Sequence, residues 1–251
     1  MDLEIKKRFL EKWGKYFPGS ELPIASFYAD ELDGVEFTDA PKTNRDHTCI
    51  FSQLVPVRRG KARAFNQNNV GCFGAIDMLG FSGARTLKEI ENSVDFLVHE
   101  EKFYKTEEQV KQILTQYQPV PAQGKYIIFK HWDLLTENDQ PLVVSFFCKP
   151  DTIAGLHALA NYDCMSPFGV IAPFSSGCDM LVGFAIRELQ SDDPKAVLGL
   201  FDPSARVCVK PDILNFSIPW PKFVSMLENM DGCFLNTIAW EPILKRMKPE
   251  D

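Results

Sequence analysis

The sequence predicts an α/β or α+β fold, in which two similar strand–helix halves contribute to a mixed sheet covered by helices. Short apolar segments of strand length alternate with amphipathic segments of helix length, an order typical of this class. Hydrophobic residues make up 45% of the 251 residues, which is enough for a full core. The Gly-Cys pairs at 71–72 and at 177–178 both precede an apolar segment that contains Asp-Met-Leu. Such an internal repeat suggests a duplicated unit.

The first half begins with a helix whose apolar stripe starts at Leu3 and which Pro18-Gly19 ends. The segment 49–57 is ambiguous, because the glycine after its basic end favours a helix C-terminus whereas Pro56 is unfavourable inside a helix. Thr106 predicts a helix N-cap, since acidic residues follow it in the first turn. The other predictions are strands at 23–30, 62–66 and 95–100, and helices after the first Gly-Cys and at 86–94.

The second half has clearer boundaries. Two strands at 125–132 and 142–149 flank a turn-rich segment, and Pro150-Asp151 starts a helix. The second Gly-Cys helix ends at Asp193-Pro194. The other predictions are strands at 169–176, 196–201 and 205–210, an extended segment at 215–218, and helices at 219–230 and 236–247.

Four short sequence echoes occur in the same order in the two halves, which we place at about 20–120 and 140–245 of a single module, residues 1–251. Their order suggests a gene duplication, so the two Gly-Cys turns are expected at equivalent places about a pseudo-twofold axis, in two joined or facing sheets. The echoes are IASFY with VVSFF, AFNQNNVGC with APFSSGC, DMLGF with DMLVGF, and DFLVHEEKF with NFSIPWPKF.

Charge and hydropathy exclude some classes of partner. The net charge is −7, from 27 basic and 34 acidic residues, whereas non-specific nucleic-acid binding requires a basic surface. No segment approaches the roughly 18 consecutive apolar residues of a membrane span. The first residues also lack the pattern of a signal peptide. We therefore expect a cytoplasmic protein with neither nucleic acid nor membrane as partner.

The cysteine and aromatic content raises two further questions. Seven scattered cysteines without a CxxC pair indicate reduced, buried thiols, so that any metal or disulfide site has to be assembled from distant positions. Phenylalanine occurs 20 times. These rings form either an ordinary aromatic core or an aromatic-lined ligand pocket.

Cys72 and Cys178 are the first candidates for chemistry. Each is expected near a helix N-terminus, where unpaired N–H groups and the positive end of the helix dipole favour a thiolate. Such a thiolate suits a nucleophile, a metal ligand or an iron–sulfur ligand. Alternatively, each cysteine is a small hydrophobic residue packed against the sheet.

The turns that precede these cysteines are candidates for binding an anion or a carboxylate. Their small polar groups and backbone N–H groups can surround a negative charge, although simple N-capping explains the same residues. Neither turn matches the GxGxxG or P-loop pattern. The residues concerned are Asn69, Gly71, Ser175, Ser176 and Gly177.

Three other groups are weaker candidates. Arg206 follows Asp202 in a DPSAR turn, where it can pair with that carboxylate or orient a ligand carboxylate. Asp163 and Cys164 follow a predicted helix, and they approach the second Gly-Cys turn only if the loop folds back. His47 lies two residues before Cys49, which permits a Cys-His pair. No HExxH or GxSxG pattern occurs, so hydrolase chemistry has little support.

The order of these motifs resembles an uncharacterised family called domain of unknown function 169. The resemblance rests on GC before DMLGF, PFSSGC, AVLGLFDPSAR, a Trp-Pro-Lys-Phe helix and a closing Asn-Thr-Ile-Ala-Trp segment, and it covers nearly the whole chain. The family occurs in anaerobic bacteria and archaea and has no established activity. The resemblance implies a full-length, soluble, single-module protein.

Three functional hypotheses follow. The leading one is a protein that binds a small or anionic ligand in a cleft between the two halves, lined by aromatics and closed by the Gly-Cys turns. The second is a cysteine-dependent metal, iron–sulfur or redox enzyme that uses Cys72 and Cys178. The third is a non-catalytic subunit or scaffold, and each is compatible with a homo-oligomer. The sequence identifies neither a substrate nor a cofactor.

Overall fold

The computed structural model describes residues 1–37 and 48–248, and it confirms the α/β class. In these residues seven strands form one mixed sheet in the order β2-β3-β1-β4-β7-β6-β5. All neighbouring strands are antiparallel except β5 and β6, which are parallel. The strands are β1 (Ile24–Ala29), β2 (Ala62–Phe65), β3 (Tyr126–His131), β4 (Val143–Cys148), β5 (Val170–Ile171), β6 (Ala196–Gly199) and β7 (Leu214–Pro219).

The two halves meet at the centre of this sheet. Strand β1 pairs with β4, so that Ile24 lies opposite Ser145. All six residues of β4 are buried, because both sheet faces are covered there. The two joined halves therefore form one sheet rather than two facing sheets.

Helices cover both faces. The helices are α1 (Leu3–Tyr16), α2 (Ile50–Gln53), α3 (Val55–Arg58), α4 (Phe73–Met78), α5 (Leu87–Asp95), α6 (Glu107–Gln116), α7 (Pro150–Ala160), α8 (Phe184–Glu188), α9 (Pro203–Arg206), α10 (Trp220–Asn229) and α11 (Glu241–Met247). Two of them are extended by π-helical turns, Phe96–Glu100 after α5 and Asp179–Gly183 before α8.

One face of the sheet, which we call the aromatic face, packs against α1, α7, α10 and α11. Its rings are in direct contact: the centroid of Phe9 lies 4.5 Å from that of Trp132 and 5.4 Å from that of Phe223. A cavity of about 10 Å³ remains between these rings and neighbouring aliphatic side chains. This volume is near the lower limit for one water molecule, so these aromatic residues form a core rather than a ligand pocket.

The opposite face, which we call the cysteine face, packs against α2, α3, α4, α8 and α9. The alternation within β4 separates the two cores, since Val144 and Phe146 join the aromatic face whereas Val143 and Phe147 join the cysteine face. Helices α5 and α6 form a lobe with a small core of their own.

Two predicted strands are wrong. Residues 95–100 are helical, because the capping box of Thr86 and Glu89 starts α5 and the chain continues into the π-helical turn without a break. Residues 205–210 are not a strand either. The Asp202 side chain accepts from the Ser204 N–H and starts α9, and a turn follows this short helix.

Other segments differ in extent, and the closing helix predicted at 236–247 is confined to Glu241–Met247. Residues 50–58 form two short helices, and Pro56 is accommodated in the first turn of α3, where no backbone donor is needed. The strand predicted at 169–176 is confined to Val170–Ile171, since the turn before the second Gly-Cys begins earlier than expected.

The proposed duplication remains a prediction. The echo of DFLVHEEKF with NFSIPWPKF does not hold structurally, because the first segment is helical and the second includes most of β7. The echo of IASFY with VVSFF matches β1 with its neighbour β4. Among the described residues, no helix combines the length and the apolar character that crossing a membrane requires.

Candidate functional site

The two Gly-Cys turns lie close together on the cysteine face. Cys72 is the N-cap of α4, and Cys178 is the N-cap of the π-helical turn that leads into α8. The two thiols are near enough to interact electrostatically. Their helices also touch, since a Cβ on Gly183 would lie 3.2 Å from the carbonyl oxygen of Met78.

Two further cysteines join them. Cys49 is the N-cap of α2, and its thiol lies near enough to that of Cys208, which follows α9, to interact with it. Cys49 also interacts electrostatically with Cys72 and Cys178. Sequence reasoning considered Cys49 only as a partner of His47 and did not single out Cys208, because no short spacing links either cysteine to the Gly-Cys turns. We refer to Cys49, Cys72, Cys178 and Cys208 as the four-cysteine site.

The two glycines are required for different physical reasons. Gly71 has a φ of 67°, in the left-handed region that favours glycine. Gly177 needs no unusual φ but lacks space, since a Cβ there would lie 2.7 Å from the Phe51 ring and 2.8 Å from the Ala205 side chain. The Gly177 N–H donates to Asp202 Oδ2 at 3.0 Å. The two Gly-Cys pairs thus differ in local backbone geometry, and their glycines are required for different reasons.

The small polar residues of the turns form hydrogen bonds within the fold. The buried Asn69 amide donates to the Ala64 carbonyl at 3.1 Å and accepts from the Asn66 N–H at 2.8 Å. Ser175 donates to Asp179 Oδ2 at 2.8 Å, and the Ser176 hydroxyl lies 3.3 Å from Cys178 Sγ. Of these groups, Ser176 is the one in direct contact with a thiol of the four-cysteine site.

Arg206 has a different role from the expected pairing with Asp202. Its guanidinium donates to the carbonyls of Ile213 and Pro211, which fixes the turn after α9. Asp202 instead accepts from the Ser204 N–H at 2.9 Å and from Gly177 at 3.0 Å. This carboxylate connects the second Gly-Cys turn to the start of α9.

The pKa shifts of the thiols run opposite to the expected thiolate stabilisation. Burial, with smaller contributions from the neighbouring thiols Cys208 and Cys72, raises the pKa of Cys49 to about 12. Burial also raises the pKa of Cys178 well above its ordinary range. The pKa of Cys72 is raised by burial and by the charge of Asp202, against the lowering effect of backbone N–H groups in α4. These three thiols are therefore protonated at neutral pH.

Two buried ion pairs support the helices behind the site. Arg85 Nε lies 2.7 Å from Asp77 Oδ2, and Arg187 Nη1 lies 2.8 Å from Asp179 Oδ1. Each arginine follows its aspartate by eight residues, a repeated spacing that sequence reasoning could have used. Arg187 also donates to the Gln118 carbonyl, so the ion pairs connect the Gly-Cys helices to the segment that follows α6.

Large apolar side chains are exposed at positions adjacent in sequence to the site. Phe73 follows Cys72 and is 69% exposed, and Val207 precedes Cys208 and is 85% exposed. Phe201, which precedes Asp202, is also exposed, as is Phe174 beside Ser175. Because these neighbours face solvent, the segments that carry the thiols lie near the surface rather than in the centre of the core.

The remaining candidates lie elsewhere. Asp163 and Cys164 do not join the four-cysteine site but contact Lys222 of α10, and His47 is outside the described residues. None of the seven cysteines forms a disulfide within the described chain. Over residues 1–37 and 48–248, no three His, Cys, Asp or Glu side chains are grouped so that they could hold one metal ion.

Comparisons with known proteins identify a family but no activity. No curated protein and no solved structure matches the chain significantly. A family model described as uncharacterised ArCR, domain of unknown function 169, matches residues 20–229, which is well over half of the chain and contains all four cysteines of the site. The chain therefore belongs to the uncharacterised ArCR family, domain of unknown function 169.

Proposed function

We propose that this protein binds a thiol-ligated cofactor of the iron–sulfur kind at the four-cysteine site. The observation that carries the proposal is the meeting of four thiols from four separate chain segments. Iron–sulfur clusters are commonly held by four cysteine thiolates. The cofactor would be the ligand expected between the two Gly-Cys turns.

The arrangement favours a multinuclear cluster over a single ion. A tetrahedral zinc site requires ligand atoms that converge on one point, and the described side chains show no such group. A cluster distributes its cysteine ligands over several iron atoms, so that the sulfurs stand farther apart. Thiols that interact electrostatically without converging on one point fit this second geometry.

The electrostatics of the site also support a cationic occupant. The Asp202 carboxylate acts on Cys72 and opposes ionisation of its thiol. The arginines nearby are engaged by Asp77 and Asp179. Iron would place positive charge beside these thiols, and its binding would release the thiol protons. A cytoplasmic location, where thiols remain reduced, suits this proposal.

Anaerobic purification and reconstitution with iron and sulfide test the proposal. We expect bound iron, acid-labile sulfide and a visible charge-transfer absorption in the wild-type protein. Cys72→Ser and Cys178→Ser should each lose most of the bound iron, since each removes a thiolate ligand. Cys148→Ser is the matched control, because Cys148 is a buried cysteine of β4 that belongs to the aromatic-face core, and it should retain iron.

Two results would overturn the assignment. One is a folded wild-type protein that takes up neither iron nor sulfide under conditions that load a known iron–sulfur protein. The other is an equal loss of iron in Cys148→Ser and Cys72→Ser, which would indicate non-specific uptake. Circular dichroism of each variant separates loss of ligand from loss of fold.

A further inference from the structure

A second cluster of reactive side chains lies beside the helices of the aromatic face, whereas the four-cysteine site lies on the opposite face of the sheet. Asp163 and Cys164 follow the C-terminal end of α7 and face Lys222 in the first turns of α10. Lys222 Nζ donates to Asp163 Oδ1 at 2.9 Å and to Cys164 Sγ at 3.3 Å. Lys222 is 6% exposed, so its ammonium is held against these two partners rather than in solvent.

The carboxylate that holds the lysine is itself fixed by α10. Asp163 Oδ2 accepts from the Ser225 hydroxyl and from the Asn229 amide, the latter at 3.0 Å. Residues 222, 225 and 229 are spaced by three and four positions, which places them on one side of the helix. The amine of Lys222 is consequently positioned by Asp163, whose carboxylate Ser225 and Asn229 hold in place.

The sulfur is confined on its other sides. Cys164 Sγ donates to the Ala160 carbonyl at 3.2 Å. A Cβ on Gly169 would lie 2.9 Å from this sulfur and 2.4 Å from the Ala160 oxygen, so glycine is needed where the chain enters β5. These contacts direct the sulfur toward the Lys222 nitrogen.

We propose that Cys164 and Lys222 form an oxidation-responsive pair, which hydrogen peroxide converts into a covalent bridge of sulfur, one oxygen and nitrogen. The Cys164 sulfur lies 3.3 Å from the Lys222 nitrogen, close enough for one oxygen atom to join the two after peroxide has oxidised the sulfur. The proposal concerns residues outside the four-cysteine site and does not depend on the proposed function.

The chemistry balances with two equivalents of peroxide. In the first step the sulfur of Cys164 takes one oxygen atom, the peroxide O–O bond breaks, and a sulfenic acid and one water form. In the second step the Lys222 ammonium gives one proton to water, and a second peroxide O–O bond breaks. The O–H bond of the sulfenic acid and one N–H bond of the amine break, the O–N bond forms, and two waters leave. Sulfur and nitrogen together lose four electrons, which the two peroxides accept.

The bridge would alter the connection between α7 and α10. It replaces a hydrogen bond with a covalent link and removes the positive charge of Lys222, so that Asp163 loses its cationic partner. Peroxide would thereby lock the chain segment after α7 onto α10. Reduction by a thiol would restore the pair.

Peptide mass spectrometry of the full-length protein after peroxide treatment tests the inference. We expect a cross-linked species that contains Cys164 and Lys222 and whose mass exceeds that of the two peptides by one oxygen less two hydrogens. Dithiothreitol should release it. Cys164→Ser should abolish the species, and Cys233→Ser should retain it, because the Cys233 thiol donates to the Met230 carbonyl and is not part of the Cys164–Lys222 pair.

Lys222→Arg distinguishes bridging from simple activation of the thiol. Arginine keeps a positive charge near the sulfur, so a sulfenic acid should still be trapped at Cys164, but no bridge should form. If wild-type Cys164 gains only whole oxygen atoms while Lys222 remains unmodified, or if Cys164 is not oxidised, the inference is wrong. Thermal melting of each variant confirms that a folded protein has been tested.

Discussion

At the residue scale, glycines in two helices show how the same substitution has opposite consequences. Gly155 lies inside α7, where a Cβ would be 2.6 Å from the Phe17 ring and 2.6 Å from the Trp240 ring. Both rings are buried and cannot easily move away. Gly14 lies in α1 and has no atom within 4 Å of the position that a Cβ would occupy.

Gly155→Ala should therefore destabilise the protein by about 1–3 kcal/mol through overpacking, in spite of the higher helix propensity of alanine. Gly14→Ala should stabilise it by about 0.5–1 kcal/mol, because only the propensity changes. Urea unfolding of both variants measures the difference. An alanine side chain at Gly14 would contact nothing, so that variant reports helix propensity alone. If Gly155→Ala also stabilises the protein, the Phe17 and Trp240 rings can move to accept the added methyl group, and the prediction is wrong.

The candidate site was partly predictable at this scale. The sequence places Cys72 and Cys178 correctly at helix starts, because a Gly-Cys pair after a polar turn is a local signal. It does not predict Cys49 and Cys208, whose approach depends on the packing of α2 and α9 on the same sheet face. The direction of the thiol pKa shifts was also unpredictable, since burial is a property of the tertiary structure.

At the scale of elements, the prediction of the lobe of α5 and α6 was most accurate where the sequence contains a recognisable helix N-cap. Thr106 caps α6 as expected, in a reciprocal capping box with Gln109. The strand expected at 95–100 failed because apolar residues there pack within the small core of the lobe, which a short sequence window cannot distinguish from strand burial. This core has four buried residues, Ile90, Val94, Val110 and Leu114.

Thr106→Ala should weaken the lobe locally by about 1 kcal/mol, since it removes the acceptor for the Gln109 N–H. Hydrogen exchange should become about fivefold faster in α6 and remain unchanged in β1 and β4. Thr115→Ala is the matched control, because the Thr115 hydroxyl donates to the Lys111 carbonyl within the helix and caps nothing. Faster exchange throughout the sheet would contradict a separately opening lobe.

At the scale of the whole molecule, buried weak acids connect stability to pH. Burial raises the pKa of Cys49 from its ordinary value of 9.0 to about 12. The pKa values of Tyr28, Cys148 and Cys178 are raised in the same direction by burial. The unfolded chain loses these protons at lower pH than the folded protein does.

The contribution of these groups to the free energy of unfolding should therefore be fully present below pH 9. It should decrease as the pH rises toward 12, since the ordinary and the raised pKa of Cys49 set this window. Each such thiol contributes a slope of about 1.4 kcal/mol per pH unit. Cys49→Ala should reduce the total slope by roughly that amount. Urea unfolding of both proteins across this window checks the prediction, and parallel curves would show that Cys49 titrates normally in the folded state.

The position of β1 in the sheet determines when the chain can begin to fold. Its partners are residues 126–131 of β3 and 143–145 of β4, so roughly 100 residues must be added after β1 before either partner exists. At a synthesis rate of about 5–20 residues per second, the apolar segment 24–29 waits roughly 5–20 s without a partner. The growing chain consequently carries an unpaired, aggregation-prone strand while these roughly 100 residues are made, an interval in which a chaperone would have most to protect.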